Sequence, residues 1–478
     1  MVLTNISFVA PEIFLIITAI GFLLVGIIQG NKATNILCWS SIMSFAIAAI
    51  LLLYASWETH YTLGGMIVSN EFSSVIKLII LLGLIVSTAL STQYIYEERI
   101  ARHEYPVLLI LAGVGMMFMI SANNMLALYM GLELQSLSLY ILTAFQRNAA
   151  RSGEAATKYF ILGALSSGLM LFGISLIYGF SGSLDYLLIA QSLESMSAIP
   201  PGFTIGMVFI IAAIAFKISA APFHMWTPDV YQGAPTSVTA FFAIVPKIAA
   251  LALLIRLAFG PFAAAHDQCS QVLYLLAIAS LLFGAFGGIA QKNIKRLMAY
   301  SSINHMGYML IGLVAGANVG IEAVILYLLI YLITTSGVFA LILCMRKEGI
   351  AVDSIKNLSG LSQSHPAFAY AMAILLFSLS GLPPLAGFFG KLFIFNAAVA
   401  QGYYLLAVLG VLTSVVAAFY YLRIVKIMFF DKPIDTLDDG VGIERRLVLI
   451  GSLIFVVGFI FAPTYVITFA KAAAASLF

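Results

Sequence analysis

Near the middle of the chain stands Lys217-Ile-Ser-Ala-Ala-Pro222-Phe-His224-Met-Trp-Thr-Pro228-Asp229, inside an apolar segment that spans residues 203–233. Proline lacks a backbone N–H and its ring clashes with the preceding turn, so these prolines predict a broken helix. A second long apolar segment, 366–401, contains Ser380-Gly-Leu-Pro-Pro-Leu-Ala-Gly, followed by Lys391. Freed backbone groups at membrane depth are tolerated only beside protein or a hydrated cavity. The two breaks therefore predict internal sites, each with a lysine close by.

The rest of the chain is equally apolar. Of its 478 residues, 62% are hydrophobic and only 9% are charged, whereas soluble proteins carry about 25% charged residues. Such a chain needs lipid as its solvent, which predicts an all-α integral membrane protein. The run from Met1 to Gln29 lacks a basic leader and is too long for the apolar core of a signal peptide. We therefore expect it to be the first spanning helix.

Composition also excludes several classes of function. The net charge of +3 is small and scattered, which argues against nucleic acid as a partner. Cys38, Cys269 and Cys344 lie far apart, without the spacing of a zinc or redox site. The sequence contains neither a Gly-rich phosphate loop nor a nucleophile elbow. No cofactor is therefore expected in this chain.

About fourteen apolar segments are long enough to span a bilayer, which takes about 20 residues each. The predicted spans are 9–29, 35–56, 72–96, 105–121, 124–146, 152–180, 203–233, 236–259, 270–289, 293–315, 319–345, 366–401, 403–430 and 443–470. Their orientation follows from positive charge, because short inside loops are enriched in lysine and arginine. With both termini outside, the periplasmic side in a bacterium, fourteen basic residues fall on inside loops and only Arg256 and Lys471 fall outside.

The chain also repeats itself weakly, at an offset of about 161 to 169 residues. The matches are Ile120-Ser-Ala-Asn-Asn124 with Ile289-Ala-Gln-Lys-Asn293, Ser167-Gly168 with Ser336-Gly337, Phe216-Lys-Ile-Ser-Ala-Ala-Pro222 with Phe377-Ser-Leu-Ser-Gly-Leu-Pro383, and Arg256 with Arg423. A five-helix repeat starts on opposite sides in its two copies, so the repeats are predicted to be inverted, as in many secondary transporters. The predicted division is a three-helix segment (1–103), a first repeat of helices 4–8 (104–260), a second repeat of helices 9–13 (266–432) and a C-terminal helix 14 (433–478).

Four charged residues are predicted near the membrane mid-plane: Glu133, Lys217, Lys247 and Lys391. At 1.5 Å per residue, Glu133 lies roughly 14 Å into its helix, whereas Lys158 lies only about 9 Å from the inner end of its own helix. A charge at mid-membrane depth costs about 2.5–3.5 kcal/mol on insertion scales, so these side chains should face the protein interior or a hydrated cavity. A buried lysine with a movable acidic partner can exchange a proton near neutral pH, which is what a proton relay requires.

The remaining titratable residues have plainer explanations. Lys77 and Lys426 are near enough to helix ends for their ammonium groups to reach the interface, and Arg423 can simply hold carbonyls at a helix end. A membrane histidine is more often a hydrogen-bonded packing residue than a relay. His305 is nevertheless a candidate relay, because side-by-side repeats would place it between two of the central lysines, and imidazole suits proton exchange near neutral pH.

Two motifs resemble those of one family. The run Asn124-Met-Leu-Ala-Leu-Tyr-Met-Gly-Leu-Glu133-Leu-Gln-Ser-Leu is similar to the helix 5 motif of the antiporter-like subunits of respiratory complex I and of multisubunit cation/proton antiporters. The stretch that begins at Lys217, with Ala-Pro-Phe-His-Met-Trp, Pro-Asp-Val-Tyr and Gly-Ala-Pro-Thr, resembles helix 7 of the same family. The resemblance extends over essentially the whole chain.

The resemblance implies a set of proton-transfer residues. They are Glu133, Lys217, Lys247, Lys391, Lys158, His305, His224 and Asp229. Glu133 and Lys217 would form a charge-switch pair, and Lys391 would exchange protons with the outside. Lys158 and Lys247 would carry the proton along the mid-membrane axis.

The resemblance also implies partners. NADH, FMN, iron–sulfur clusters and quinone are expected in partner subunits, and the membrane neighbours would be other antiporter-like subunits, small membrane subunits and lipid. The implied activity is proton translocation by a non-redox subunit of an NADH:quinone oxidoreductase in the bacterial inner membrane. Two alternatives stay open. One is a cation/proton antiporter subunit without redox coupling, which would use the same charges. The other is a structural scaffold, in which the mid-membrane lysines would tolerate methionine.

Overall fold

The computed structural model describes residues 6–196, 198–434, 437–438 and 442–477, most of which lie in long helices. The N-terminal segment contains α1 (Ala10–Gln29), α2 (Thr34–Tyr54) and α3 (Glu71–Glu97), with β1 (His60–Thr62) and β2 (Ile67–Ser69) between α2 and α3. These two strands form an antiparallel hairpin. The helical content confirms the predicted all-α membrane fold.

The region of the first predicted repeat contains α4 (Glu104–Ser121), α5 (Met125–Thr143), α6 (Ala150–Ser181), α7 (Tyr186–Glu194), α8 (Pro201–Ile218), α9 (Trp226–Gly233) and α10 (Thr236–Phe259). The region of the second contains α11 (His266–Ile289), α12 (Ile294–Ala315), α13 (Ala317–Ile342), α14 (Leu361–Ser364), α15 (Pro366–Ser380), α16 (Ala386–Ala400) and α17 (Tyr404–Phe430). Strands β3 (Arg346–Lys347) and β4 (Ile350–Ala351) precede α14, and α18 (Ile443–Gly458) and α19 (Pro463–Ala475) follow α17.

Both predicted helix breaks are present, the first between α8 and α9 and the second between α15 and α16. Each first half-helix is followed by a left-handed residue, Ser219 with φ 63° and Gly381 with φ 87°. Glycine adopts this conformation without strain, whereas serine does so at a cost. Prolines follow within three residues in both cases, so neither helix can resume at once. The equivalent breaks support the repeat alignment made from the sequence.

Each of the fourteen predicted spans corresponds to a helix or to a pair of consecutive helices. By length and apolarity alone, the described residues provide ten candidate spans, or eleven if one bent pair is counted as a span. The two halves of the second broken segment, α15 and α16, are too short to qualify separately. A total of fourteen therefore stays a prediction.

The C-terminal segment differs from the prediction. The sequence predicts a single helix over 443–470. In the structure, the helical segment Ile443–Phe461, which begins with α18, makes an angle of 93° with α19. The turn lies at Ala462, whose φ of −143° and ψ of 51° are not helical, and Pro463 follows it. Proline disfavours the helical conformation of the residue that precedes it, so the helix ends there. The prediction of one continuous helix 14 is wrong.

Helix α10 lies at the centre of the molecule. Its most apolar stretch is 100% buried, and α10 packs against α3, α8, α12 and α13. By contrast, only 17% of the most apolar stretch of α1 and α2 is buried, so these helices form part of the rim. A charged residue on α10, such as Lys247, is therefore shielded from the bilayer by protein.

Helices α4 and α5 cross at two glycines. A Cβ atom added at Gly115 would lie 2.6 Å from the carbonyl oxygen of Gly131, and one added at Gly131 would lie 2.8 Å from the carbonyl oxygen of Gly115. The crossing therefore requires glycine on both helices. This close approach fixes the position of Glu133, which lies two residues beyond Gly131.

Two arginines at equivalent repeat positions do the same local task. Arg256 donates a hydrogen bond to the carbonyl of Ile120 near the end of α4. Arg423 donates a hydrogen bond to the carbonyl of Ile289 at the end of α11. Carbonyls in the last turn of a helix lack intrahelical partners, and a cation is favourable there. The equivalence supports the repeat alignment and gives Arg423 the carbonyl-holding role expected as its plain explanation.

Candidate functional site

Glu133 and Lys217 lie on α5 and α8, and hydroxyl groups hold both of them. Glu133 accepts a hydrogen bond from the Ser167 hydroxyl on α6. The Lys217 ammonium donates to the Ser136 hydroxyl at 2.7 Å and to the Tyr140 hydroxyl at 3.4 Å. Lys217 is only 5% exposed, so its charge is solvated by these hydroxyls rather than by bulk water.

The expected charge-switch pair is not in direct contact. Among the ion pairs of the described residues, none joins Glu133 to Lys217. The two charges are nevertheless close enough to interact electrostatically. Ser136 lies three residues after Glu133 on the same helix, so it occupies the same face, and Lys217 bonds to it instead. The structure therefore shows the pair separated, with each charge bound to a serine.

Protein groups satisfy the backbone at the first break. The Trp226 indole N–H donates to the carbonyl of Phe216 at 3.0 Å, and the Ala221 N–H donates to the Ser280 hydroxyl at 2.9 Å. These two hydrogen bonds satisfy part of the backbone at the break, whereas Pro222 and Met225 within it are exposed. His224 lies within the break and packs against Phe283, with ring centroids 5.3 Å apart. Among the described residues, no hydrogen bond joins His224 to the charged residues of α5, α8 or α10.

Lys247, which is 1% exposed on α10, begins a chain of hydroxyl groups. Its ammonium donates to the Ser302 hydroxyl of α12. The Ser302 oxygen lies 2.8 Å from the Tyr331 hydroxyl, which donates to the carbonyl of Ala243 at 3.0 Å. Tyr231 from α9 places its ring 5.3 Å from the ammonium. In the repeat alignment Ser302 is equivalent to Glu133, so the second repeat has a neutral hydroxyl where the first has an acid.

His305 lies on α12 between two tyrosine hydroxyls. Its Nδ1 is 2.7 Å from the Tyr327 hydroxyl, and its Nε2 is 3.2 Å from the Tyr421 hydroxyl. The charges of Lys247 and Lys391 both act on the imidazole. A position of His305 between those lysines stays a prediction.

Lys391 lies on α16, just beyond the second break. Its ammonium donates at 2.8 Å to the Ser380 carbonyl and at 2.8 Å to the Ser414 hydroxyl. It also lies 4.7 Å from the centre of the Tyr308 ring. Because Ser380 is the last residue of α15, Lys391 holds a carbonyl that the break leaves without an intrahelical partner.

Lys158 and Asp229 belong to a separate ionic cluster near the start of α6. Lys158 pairs with Glu154 at 2.8 Å and with Asp229 at 2.9 Å, and Asp229 also pairs with Arg296 at 2.6 Å. The Lys158 side chain is 44% exposed. With Arg151, the first three of these residues line a cavity of about 200 Å³. The cluster links α6, α9 and α12 but lies apart from the deeply buried lysines.

Two further lysines give opposite outcomes. The expectation that Lys77 reaches the interface is wrong, because it is 1% exposed and pairs with Glu12, which is 0% exposed. Glu12 lies on α1 and offers a nearby carboxylate, so burial as a pair replaces contact with water. Lys426 is 62% exposed and pairs with Asp431, as expected for a lysine near a helix end.

Sequence reasoning missed the hydroxyl groups that connect the charges. Ser136, Tyr140, Ser302, Tyr331 and Tyr327 each contact a candidate residue or its hydrogen-bond partner. Spacing on one helix offers part of the signal, because a serine three residues from a buried acid or histidine shares its face. The tyrosines come from other helices, and their convergence depends on tertiary packing that one sequence does not reveal.

Known proteins resemble this chain over most of its length. The chain matches the family model "NADH:quinone oxidoreductase/Mrp antiporter, TM" over residues 122–417. It is 50% identical to NADH-quinone oxidoreductase subunit N of Rhodospirillum rubrum over 469 residues, which cover 98% of this chain and 96% of that protein. The corresponding subunit of Paramagnetospirillum magneticum is 47% identical, over 98% of this chain and 97% of that protein.

Solved structures show the same fold. A chain of respiratory complex I from Thermus thermophilus with bound aureothin superposes with a TM-score of 0.82 at 31% identity, over 96% of this chain and 99% of that chain. A chain of the Mrp complex from a Dietzia species has a TM-score of 0.84 at 20% identity, over 99% of this chain and 98% of that chain. At that identity the second likeness concerns the fold alone.

Proposed function

We infer that this chain, which belongs to the family of NADH-quinone oxidoreductase subunit N, is a proton-translocating membrane subunit of an NADH:quinone oxidoreductase. Within the wider antiporter-like family, Lys391 in the second broken helix, where a sister subunit has glutamate, favours this subunit. The alternative, a subunit of a cation/proton antiporter, is less supported, because the likeness to the Mrp complex concerns the fold alone.

One observation carries the proposed mechanism: the proposed row of proton-transfer residues contains three buried lysines, and each is bound to a hydroxyl group. The three lysines of this row, Lys217, Lys247 and Lys391, are each 5% exposed or less. Each donates a hydrogen bond to a serine hydroxyl. Hydroxyl groups both donate and accept, so they can pass a proton where two ammonium groups cannot.

The first step is a switch at Glu133. When Glu133 approaches Lys217, the carboxylate stabilises the protonated lysine. When Glu133 turns to Ser167, as in this structure, that stabilisation weakens and Lys217 releases its proton more readily. A signal from a neighbouring subunit needs only to favour one of these two arrangements. Ser167 is thus proposed to hold the carboxylate in the arrangement that favours release.

The released proton then moves towards the second repeat. Lys247 receives it, and its ammonium contacts the Ser302 hydroxyl of α12, the helix that also carries His305. His305 lies within reach of the charges of both Lys247 and Lys391, so it is proposed to bridge them. Lys391 exchanges the proton with the outside.

The inner edge supplies the protons. The cluster of Lys158, Glu154 and Asp229 surrounds an open cavity, and its charges can collect protons from the inner solution. Both chain termini are proposed to lie on the outer side. NADH oxidation and quinone reduction are assigned to partner subunits, so this chain acts as a translocase without a redox reaction of its own.

Copurification tests the assignment. Native membranes are solubilised in mild detergent, the tagged chain is isolated, and the eluate is assayed for NADH oxidation by a quinone. We expect a large assembly with this activity. A small assembly that lacks it, and that exchanges sodium for protons in vesicles, would move the function to the antiporter.

A further inference from the structure

A polar cavity of about 490 Å³ opens on the side opposite to the loops rich in lysine and arginine. It lies between the β1–β2 hairpin, the start of α5, α7 and the end of α10. Its polar lining includes Asn70, Asn123, Tyr186 and Arg256. None of these side chains belongs to the row of proton-transfer residues, so the cavity calls for a separate explanation.

Arg256 brings an unpaired positive charge to this cavity. It is only 8% exposed, and one guanidinium nitrogen holds the Ile120 carbonyl. Among the ion pairs of the described residues, none contains Arg256. A guanidinium has five N–H donors, so most of its capacity is not used by that carbonyl.

Arg423, the equivalent arginine of the second repeat, shows why Arg256 keeps unused N–H donors. Arg423 uses two nitrogens, one on the carbonyl of Ile289 and the other on the carbonyl of Gln291 at 2.6 Å. In the first repeat, the residue equivalent to Gln291 is Ala122, which pairs with Ile67 of the hairpin instead. The hairpin is absent from the described part of the second repeat at this position. Arg256 has no second carbonyl partner among the described residues, so its other N–H groups are left for the cavity.

Tyr186 provides an independent sign of a missing ligand. The residue is 5% exposed, and its hydroxyl is buried without a hydrogen-bond partner among the described residues. The ring centre lies 5.8 Å from the Arg256 guanidinium carbon. Buried hydroxyls are almost always hydrogen-bonded, so an acceptor in the cavity would satisfy it.

The neighbouring acid is already occupied. The Asp185 carboxylate accepts hydrogen bonds from the N–H groups of Leu187 at 2.9 Å and Leu188 at 3.3 Å, which caps α7. It also accepts a longer bond of 3.4 Å from the Asn123 side-chain amide. These contacts hold the carboxylate at the helix start, away from Arg256.

We propose that this cavity binds a phosphate-bearing anion through Arg256 and Tyr186. Arginine suits phosphate because its planar fork donates two parallel hydrogen bonds to two phosphate oxygens. The volume accommodates a lipid headgroup, and the cavity's edge is apolar, with Leu187 59% exposed and Leu188 51% exposed beside it. An anionic phospholipid of the outer leaflet fits this combination of a polar interior and an apolar edge, and free phosphate shares the same headgroup chemistry.

The test uses the intact complex, stripped of lipid and then titrated separately with phosphatidylglycerol, phosphatidylcholine and inorganic phosphate. Native mass spectrometry that ejects this subunit reports bound lipid or phosphate. In Tyr186→Phe the ring is kept and one donor is lost, so phosphatidylglycerol should bind about tenfold more weakly. Arg256→Gln should weaken binding further. Tyr178→Phe, which alters an exposed tyrosine on α6, is the matched control and should bind as the native complex does.

The outcomes separate the possible ligands. Retention of phosphatidylglycerol that falls in both cavity variants supports the site with a lipid as its ligand. Retention of inorganic phosphate alone, with the same dependence, supports the site with free phosphate as its ligand. Equal binding in the native complex and in both variants would overturn the proposal. So would an electron density map of the complex in which an acidic side chain of a neighbouring subunit contacts Arg256. NADH oxidation by the variants confirms that each complex is folded, and it does not depend on this site.

Discussion

Replacement of Ser302 by alanine should slow proton translocation without preventing assembly. The Ser302 hydroxyl receives the hydrogen bond of the buried Lys247 ammonium and lies 2.8 Å from the Tyr331 hydroxyl. Alanine removes the hydroxyl that accepts the hydrogen bond of Lys247. Among the described residues, the ammonium then keeps its contact with the Tyr231 ring, 5.3 Å away. The change deletes one oxygen atom from a closely packed interior, so the helix itself is retained.

The magnitude follows from the lost hydrogen bond. A hydrogen bond to a charged group contributes about 1.5–3 kcal/mol. Every 1.36 kcal/mol added to a barrier slows the step tenfold. If transfer at Lys247 limits translocation in the variant, the rate should fall by roughly ten- to a hundredfold. Water entering the space left by the hydroxyl would reduce the effect towards the lower figure.

The assay measures proton uptake by inverted membrane vesicles at a fixed rate of NADH oxidation, with an uncoupler added at the end. Ser336→Ala is the matched control, because Ser336 is also buried but, among the described residues, its hydroxyl bonds to the Leu332 carbonyl of its own helix alone. The control should pump as the native protein does. A Ser302→Ala complex that pumps with the native ratio of protons to NADH would refute the proposed hydroxyl connection.

Three further variants test other parts of the structure. Tyr327→Phe removes the hydroxyl 2.7 Å from His305 and should lower pumping several-fold at unchanged NADH oxidation in uncoupled vesicles; unaltered pumping would exclude that hydroxyl from the path. Glu12→Gln leaves the buried Lys77 without its anion and should destabilise the subunit by about 3–5 kcal/mol, seen as a lower temperature of thermal inactivation, whereas methionine at both positions should recover most of the loss. Arg423→Lys replaces a fork that holds two carbonyls and should lower stability by about 1–2 kcal/mol while the proton to NADH ratio stays native; a changed ratio would give this arginine a role in transfer.

The fold was largely predictable because hydrophobicity and proline act locally. Apolar segments of sufficient length fix the helices, and Pro222 and Pro383 mark the two breaks that the structure contains. The same rule was missed at Pro463, where the sequence suggested an uninterrupted helix. Pro463 lies late in an apolar run, and no charged residue beside it draws attention to a break. The 93° turn there follows from the restriction that proline places on the preceding residue, Ala462.

The candidate site was predictable only in its charges. Mid-membrane lysines and Glu133 stand out because charge is rare at that depth. Their partners do not stand out, because serine and tyrosine are common in membrane helices and Tyr331 and Tyr421 meet α12 only through packing. The same limit explains Lys77, since nothing in the sequence around it shows that Glu12 on another helix lies beside it.

The number of protons moved per NADH by a purified Lys217→Ala complex shows whether Lys217 carries the coupled proton. The complex is placed in proteoliposomes, and NADH oxidation and the pH of the lumen are recorded together, with Lys426→Ala as the exposed-lysine control. We expect an assembled complex in which the variant loses coupled pumping through this subunit while the control keeps the native ratio. A Lys217→Ala complex that pumps with the native ratio would exclude Lys217 from coupled proton transfer.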